Sequence, residues 1–215
     1  MPEIEINEKL IQFVIFLPLF LLSLSVHEFA HAYFANKFGD NTAASMGRLS
    51  LNPLKHIDLV GSVLMPLMAF FSGFALIGWA KPVPVNPNNF RNPYKDDAIV
   101  SAAGPVSNFV LAILFFIVFI LFSKIFTDQY LMIQKVLWLG VYFNIFLFLF
   151  NLLPIPPLDG SHILFDLFPN RYTAKLISFG AYGTLILLFF IYSPLWNIFM
   201  NAVLFILDIF LLIKG

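Results

Sequence analysis

The chain contains no cysteine, which removes disulfides and thiolate metal ligands and leaves the redox compartment open. Charge is also scarce: 11% of its 215 residues are Asp, Glu, Lys or Arg, and the formal net charge is zero. The charged residues sit in short connections instead of tails, which argues against nucleic acid or an acidic partner. In their place stand apolar side chains: 60% of the residues are hydrophobic, and 28 are phenylalanine. A soluble domain of this length has too little interior to hide that much apolar surface, so lipid is the solvent for most of it. The amino-terminal MPEIEINEK is acidic and lacks a basic n-region and an early cleavage site, so the first hydrophobic run reads as a retained span.

A helix needs about 20 apolar residues to cross ~30 Å of hydrocarbon. Runs of that size fall near 10–38, 97–124, 131–152, 173–192 and 194–213. A sixth, 59–78, is only just long enough and is interrupted by Pro66, Gly73 and Gly78. Between the runs lie NPLKHID at 52–58, AKPVPVNPNNFRNPY at 80–94 and LPIPPLDGSH at 153–162. Prolines at that density block regular helix and favour extended or turn backbone. In KPVPVN the alternation of valine and proline suits an exposed edge strand, to which GRLSLN at 47–52 could pair. The expected fold is an all-α polytopic membrane protein. It is a bundle of about five to six transmembrane helices with a re-entrant segment and short edge strands, in a single domain spanning 1–215.

One apolar run carries three ionisable groups, His27-Glu28-Phe29-Ala30-His31. On a helix, positions i and i+4 share a face, so both imidazoles can hold one tetrahedral zinc while Glu28 stands beside it as general base. A charge at bilayer depth costs at least ~2.5 kcal/mol on insertion scales, which makes such a cluster a functional site by default. A catalytic zinc normally takes three protein ligands. Asp159, beside Gly160 after a span, is the first candidate for the third, because irregular backbone at membrane depth is tolerated where it lines a cavity. An ordinary Asp-Gly turn is the competing reading of that pair.

Three motifs, HEFAH in one span, AGPVSN at 103–108 opening another and NLLPIPPLDG at 151–160 closing a third, together resemble the site-2 protease family of intramembrane zinc metalloproteases. The resemblance covers nearly the whole chain, and GRLSLNPLKHIDLVGS and GWAKPVPVNP look typical of its compact bacterial and archaeal branch. It implies Zn2+ held by His27, His31 and Asp159, with Glu28 activating water. It also implies that Asn151 lies near the site and orients substrate or oxyanion. The substrate would be a membrane protein with a transmembrane helix, the location a prokaryotic cell membrane. The PDZ insertion and CBS domain of other members are not seen.

Asn108 could hydrogen-bond to a neighbouring helix near the metal or help stabilise an oxyanion, while Gly104, one turn earlier, allows close helix approach. His162 reads as a loop anchor or as a partner of Asp159, and His56 as an interfacial residue. Asp208, inside the last run, has no catalytic assignment. The ligands must meet at one depth, and this bears on topology. If 59–78 crossed fully, His31 and Asp159 would lie near opposite faces. If it re-enters and returns, their faces coincide, and nine of the 12 Lys and Arg share that side, namely 37, 48, 55, 81, 91, 95, 171, 175 and 214. The positive-inside rule then places the active site toward the cytoplasm. A zinc or proton channel is the rival function, and it predicts polar residues strung along several spans instead of gathered in one cluster. Oligomeric state stays open.

Overall fold

The computed structural model describes residues 2–72, 78–126 and 131–214. Nine α-helices are formed by those residues: α1 (Pro2–Lys37), α2 (Thr42–Ser45), α3 (Met65–Ser72), α4 (Pro93–Ile125), α5 (Leu131–Asn151), α6 (Asp159–Leu167), α7 (Arg171–Ser178), α8 (Gly183–Tyr192) and α9 (Leu195–Lys214). Four stretches are long and apolar enough to cross a membrane: Leu10–Lys37, α4, α5 and α9. The run expected as one span over 173–192 is broken into α7 and α8, which meet at 88°; counted as a single bent span they make a fifth. This is a helical polytopic membrane protein.

The centre of the bundle is α4, with α1, α5 and α6 packed against it. Phe116, Val141, Ile145, Phe199 and Val203 join α4, α5 and α9 in one buried cluster. A second cluster ties α1 to α5 through Phe16, Phe20, Phe143 and Leu147, with the Phe16 and Phe143 rings edge-on at 5.2 Å. Lipid is as apolar as these side chains, so dispersion and close fit hold the helices together more than expulsion from water does.

The described part of the run at 59–78 is too short to cross. A π-helical turn at Leu59–Leu64 leads into α3, and 59–72 rises at most about 21 Å at helical pitch, short of the ~30 Å required. Residues 73–77 of this run lie outside the described residues. Beyond them the chain is back beside its starting point: the Trp79 N–H donates to Gly61 O at 3.0 Å, and Ser62 Oγ donates to Trp79 O at 2.8 Å. The expected re-entrant path is thus closed by hydrogen bonds at its base.

The expected edge strands are absent: no strand occurs among the described residues. The 80–86 segment has no helix, as its prolines dictate, but no ladder forms on it. Pro82 and Pro84 offer no N–H, and several of the remaining groups bind elsewhere. Lys81 N–H donates to His56 O at 2.9 Å. Arg48 Nη2 donates to Lys81 O at 2.5 Å, and Val83 N–H donates to Glu28 Oε2 at 2.7 Å. His56, expected at the interface, is packed inside the protein. It is 2% exposed and bonds Ser50 O through Nε2 at 2.7 Å.

Asp40, fully buried, fastens the turn after α1 to the same segment. Its carboxylate accepts from Asn86 N–H at 2.8 Å, Asn89 Nδ2 at 2.7 Å and Thr42 N–H at 3.1 Å. Burial alone would raise its pKa, but the donors on Asn86, Thr42 and Asn89 outweigh it and hold the carboxyl below its usual range. Stability gained from a depressed pKa is present above the unfolded value of ~3.9 and lost as pH falls through the folded one. Asp40→Ala, which orphans several donors, should cost about 3 kcal/mol. Asp40→Asn should flatten the loss of thermal stability that wild type shows between pH 6 and 3, as thermal unfolding in detergent would measure.

Candidate metal centre

His27 and His31 lie one turn apart on α1, deep in the bundle at 6% and 9% exposure. Asp159 opens α6, after the proline-rich link 152–158 has turned the chain back from α5. A Cβ at Gly160 would stand 2.3 Å from Leu152 O, so the Asp-Gly pair lets the new helix start tight against the end of the old one. The Asp159 carboxylate thereby reaches both histidines. Its Oδ2 is 3.2 Å from His27 Nε2, and its Oδ1 is 3.5 Å from His31 Nε2.

Hydrogen bonding on the far side of each ring decides what those Nε2 atoms are. His31 Nδ1 is 2.7 Å from the Val100 carbonyl oxygen, which only accepts, so Nδ1 carries the hydrogen. His27 Nδ1 is 2.7 Å from Asn108 Oδ1. The Asn108 amide is oriented by its own nitrogen, which donates to Ser23 O at 3.2 Å and Asn144 Oδ1 at 3.0 Å. Asn144 is fixed in turn, its Nδ2 donating to Ser23 Oγ at 3.0 Å and Gly140 O at 2.9 Å. Both neutral rings therefore present bare lone pairs at Nε2.

The two lone-pair nitrogens are 3.0 Å apart and share the space with a carboxylate. With both rings neutral, three acceptors with no hydrogen between them repel unless a cation lies among them. Ligand atoms ~2.0–2.1 Å from a tetrahedral zinc stand roughly 3.3 Å from one another, close to the 3.0, 3.2 and 3.5 Å seen here. Asp159 Oδ2 is also buried without a hydrogen-bond donor. Space for the ion depends on Gly104 of α4, where a Cβ would stand 2.3 Å from His31 Nε2 and 2.6 Å from His27 Cε1. The nitrogen and oxygen donors and the glycine cradle both fit a zinc-sized cation.

Glu28, half-buried on the same helix, keeps its carboxylate within electrostatic reach of His31. Asn151 is placed differently: its Nδ2 donates to Leu147 O in its own helix at 3.0 Å. His162 is exposed on α6. Asp208 is exposed on α9. Sequence reading missed Asn144 altogether, although an asparagine in the apolar run GVYFNIF is a detectable signal of an intramembrane polar contact. Removing it should loosen His27: Asn144→Ala is expected to lower metal affinity about 10- to 100-fold, as competition with a chelator would measure.

A helical membrane protein in which a histidine pair, a carboxylate and an adjacent glutamate converge on a cation-sized space belongs to the class of membrane metalloproteases. The profile of Peptidase family M50, the site-2 proteases, matches residues 15–191, and the chain belongs to that family. It is 40% identical over 179 residues to the "Putative zinc metalloprotease YwhC" of Bacillus subtilis, covering 81% of this chain and 78% of that one. It is 32% identical over 190 residues to the "Putative zinc metalloprotease Rip2" of Mycolicibacterium smegmatis, covering 86% and 69%. The Methanocaldococcus jannaschii protein "Putative zinc metalloprotease MJ0611" is 34% identical over 73 residues, a third of either chain. No solved structure matches the chain. The protein is a zinc metalloprotease of the membrane.

Proposed function

We propose that the protein is an intramembrane protease that hydrolyses a peptide bond in or near a transmembrane segment of another membrane protein, in regulated intramembrane proteolysis. His27, His31 and Asp159 hold the zinc, and one domain spanning 1–215 does the work. The observation that carries this reading is the convergence of two imidazole lone pairs and a carboxylate, each imidazole locked from behind by an acceptor. Zinc, when bound, is the Lewis acid that acidifies water at neutral pH and polarises a carbonyl oxygen.

The remaining steps belong to side chains of this chain. Glu28 takes the proton of the attacking water and delivers it to the leaving amine. The bond from Val83 N–H occupies one of its carboxylate oxygens and leaves the other as the base. Asn108, whose amide hydrogens are engaged by Ser23 and Asn144 and so are not free for the oxyanion role expected of it, keeps the His27 ring in its ligating tautomer, and Asn151 supplies an amide hydrogen near the developing oxyanion. For Asn151 this requires its amide to leave the Leu147 carbonyl when substrate is present. The test is cleavage of a single-span substrate, reconstituted with the protein in vesicles, against the Glu28→Gln variant. Loss of cleavage on adding chelator, and its return with zinc, is the expected companion result.

The site faces the cytoplasm of a prokaryotic cell membrane in this proposal. Support comes from the hydrogen bonds between Trp79 and the Gly61–Ser62 turn, which return the chain to the side it left, and from eight of the nine basic residues expected on that side; the ninth, Lys214, stacks over Phe119 toward the opposite end of α4. Cysteine placed at exposed Asn88 should resist an impermeant reagent added from outside. Cysteine at Thr127, which lies outside the described residues, should react; the opposite pattern would reverse the orientation.

A further inference from the structure

Arg48 is a buried cation without an anion beside it. It is 8% exposed, and among the described residues no carboxylate lies within ion-pair distance of it. Burying a charge is costly unless polar groups compensate it, and here those groups are main-chain carbonyls. The Nη2 atom donates to Lys81 O at 2.5 Å and stands 3.5 Å from Pro82 O. The backbone that carries the side chain is fixed. Gly47, at φ 67°, closes α2: its N–H donates to Ala44 O at 3.0 Å, and the Arg48 N–H donates to Ala43 O at 2.9 Å. These are the two bonds of a Schellman cap, and they set the direction in which Arg48 leaves the helix.

The second of those carbonyls belongs to the peptide unit that reaches the site. Pro82 supplies its C=O and Val83 its N–H, and that N–H donates to Glu28 Oε2 at 2.7 Å. A trans peptide points its C=O and N–H in opposite directions, so one peptide lies between the guanidinium and the carboxylate with its dipole aligned to both charges. Val83 is held in this pose. Pro84 keeps its backbone extended, and its side chain is buried beside Ala32 of α1 and Ala43 of α2. Ala43 thus seats Val83 with its methyl group and accepts the Arg48 N–H with its carbonyl. On either side, His56 O accepts from Lys81 N–H and Asp40 from Asn86 N–H.

We propose that Arg48 is a positioning residue for Glu28, acting through the Pro82–Val83 peptide: the guanidinium holds the carbonyl end of that peptide, and the N–H at its other end holds the carboxylate. The buried arginine then has a counter-charge after all, one peptide away. The consequence for catalysis rests on the proposed role of Glu28 as the base; the positioning itself does not. A glutamate side chain turns about several bonds, and the Val83 N–H fixes one of its oxygens so that the other keeps a constant aim. Displacing a group at the reacting centre by ~1 Å costs up to ~10²-fold in rate, so the support behind the peptide matters as much as the peptide.

The experiment compares the full wild-type chain with Arg48→Met, which keeps an unbranched side chain and removes its donors and charge. In metal-free protein in detergent, the Val83 N–H of the variant should exchange with solvent about tenfold faster or more, as loss of a charge-assisted bond allows. An unchanged rate overturns the positioning, whatever Glu28 does in catalysis. In vesicles with zinc and a single-span substrate, kcat should fall ~10- to 10²-fold while KM and zinc content stay at wild-type values, the pattern of an interaction used in the transition state. A raised KM with kcat unchanged, or lost zinc, would make Arg48 a structural support and overturn the proposal. Beside Glu28→Gln the same substitution should cost nothing further; an equal loss in both backgrounds overturns action through Glu28. If Glu28→Gln cleaves like wild type, the base assignment fails and the exchange result still decides the positioning. Should Arg48→Met fail to fold, Val83→Pro deletes the donating N–H and leaves the arginine. It should show the same fall in kcat and the same silence beside Glu28→Gln, and a wild-type kcat in it overturns the proposal.

Discussion

Glu28→Gln should lower cleavage by about 10²- to 10⁴-fold, the usual contribution of a positioned general base, while zinc stays bound. The two halves of that outcome separate proton transfer from metal binding. Glutamine matches the shape of glutamate and can still accept the Val83 N–H bond that holds Glu28 at 2.7 Å. It cannot take a proton from water. His27, His31 and Asp159 are untouched by the change, so metal content should equal that of wild type. Full activity in the variant would remove Glu28 from the chemistry and require another base, while loss of zinc along with activity would make it a structural support.

Gly104→Ala should have the opposite signature, in which metal goes first and activity follows. The added methyl would lie 2.3 Å from His31 Nε2 and 2.6 Å from His27 Cε1. Real carbon contacts do not approach that closely, so one or both rings must swing away. His31 is tied to Val100 O at 2.7 Å on its other side, and His27 to Asn108. Swinging either ring therefore breaks the bond that fixes its tautomer. We expect zinc affinity to fall by ~10²-fold or more, the upper end of what losing an outer partner costs, with cleavage lost in proportion. Chelator competition and a cleavage assay on the same preparation would measure both. Retention of wild-type affinity would show that the ion sits away from the α4 face.

Much of this site can be read from the chain because its chemistry is local. Two histidines four apart on a helix must share a face, and an ionisable cluster in an apolar run has few bland explanations. Asp159 is harder, since nothing between 31 and 159 dictates that α6 should return to α1; the family resemblance supplied that link, and the folded chain brings the carboxylate to 3.2 Å from His27. The Val100 carbonyl could not be read at all, because every residue has one. Gly104 could be read as a packing glycine, but its neighbours prove to be imidazole rings instead of a helix backbone.

Two departures from expectation are matters of context. Prolines at 82 and 84 correctly announced non-helical backbone, but a strand needs a partner with free groups, and Arg48, His56 and Glu28 had taken several of those of the segment. The 173–192 run is apolar enough for a span, but its composition carries no information about the 88° bend between α7 and α8. The reading of 59–78 as re-entrant came from a constraint, that the ligands meet at one depth, and not from local propensity. That constraint anticipated the closure between Gly61 and Trp79.

The most direct test of the account is the zinc content of protein purified in detergent, wild type beside Asp159→Ala, after both have been exposed to zinc and washed. The account predicts one zinc per chain in wild type and a loss of most of it in the variant, with the helical signal unchanged. Equal zinc in the two proteins would contradict it, because the carboxylate that joins α6 to the two histidines of α1 would then not be holding the ion.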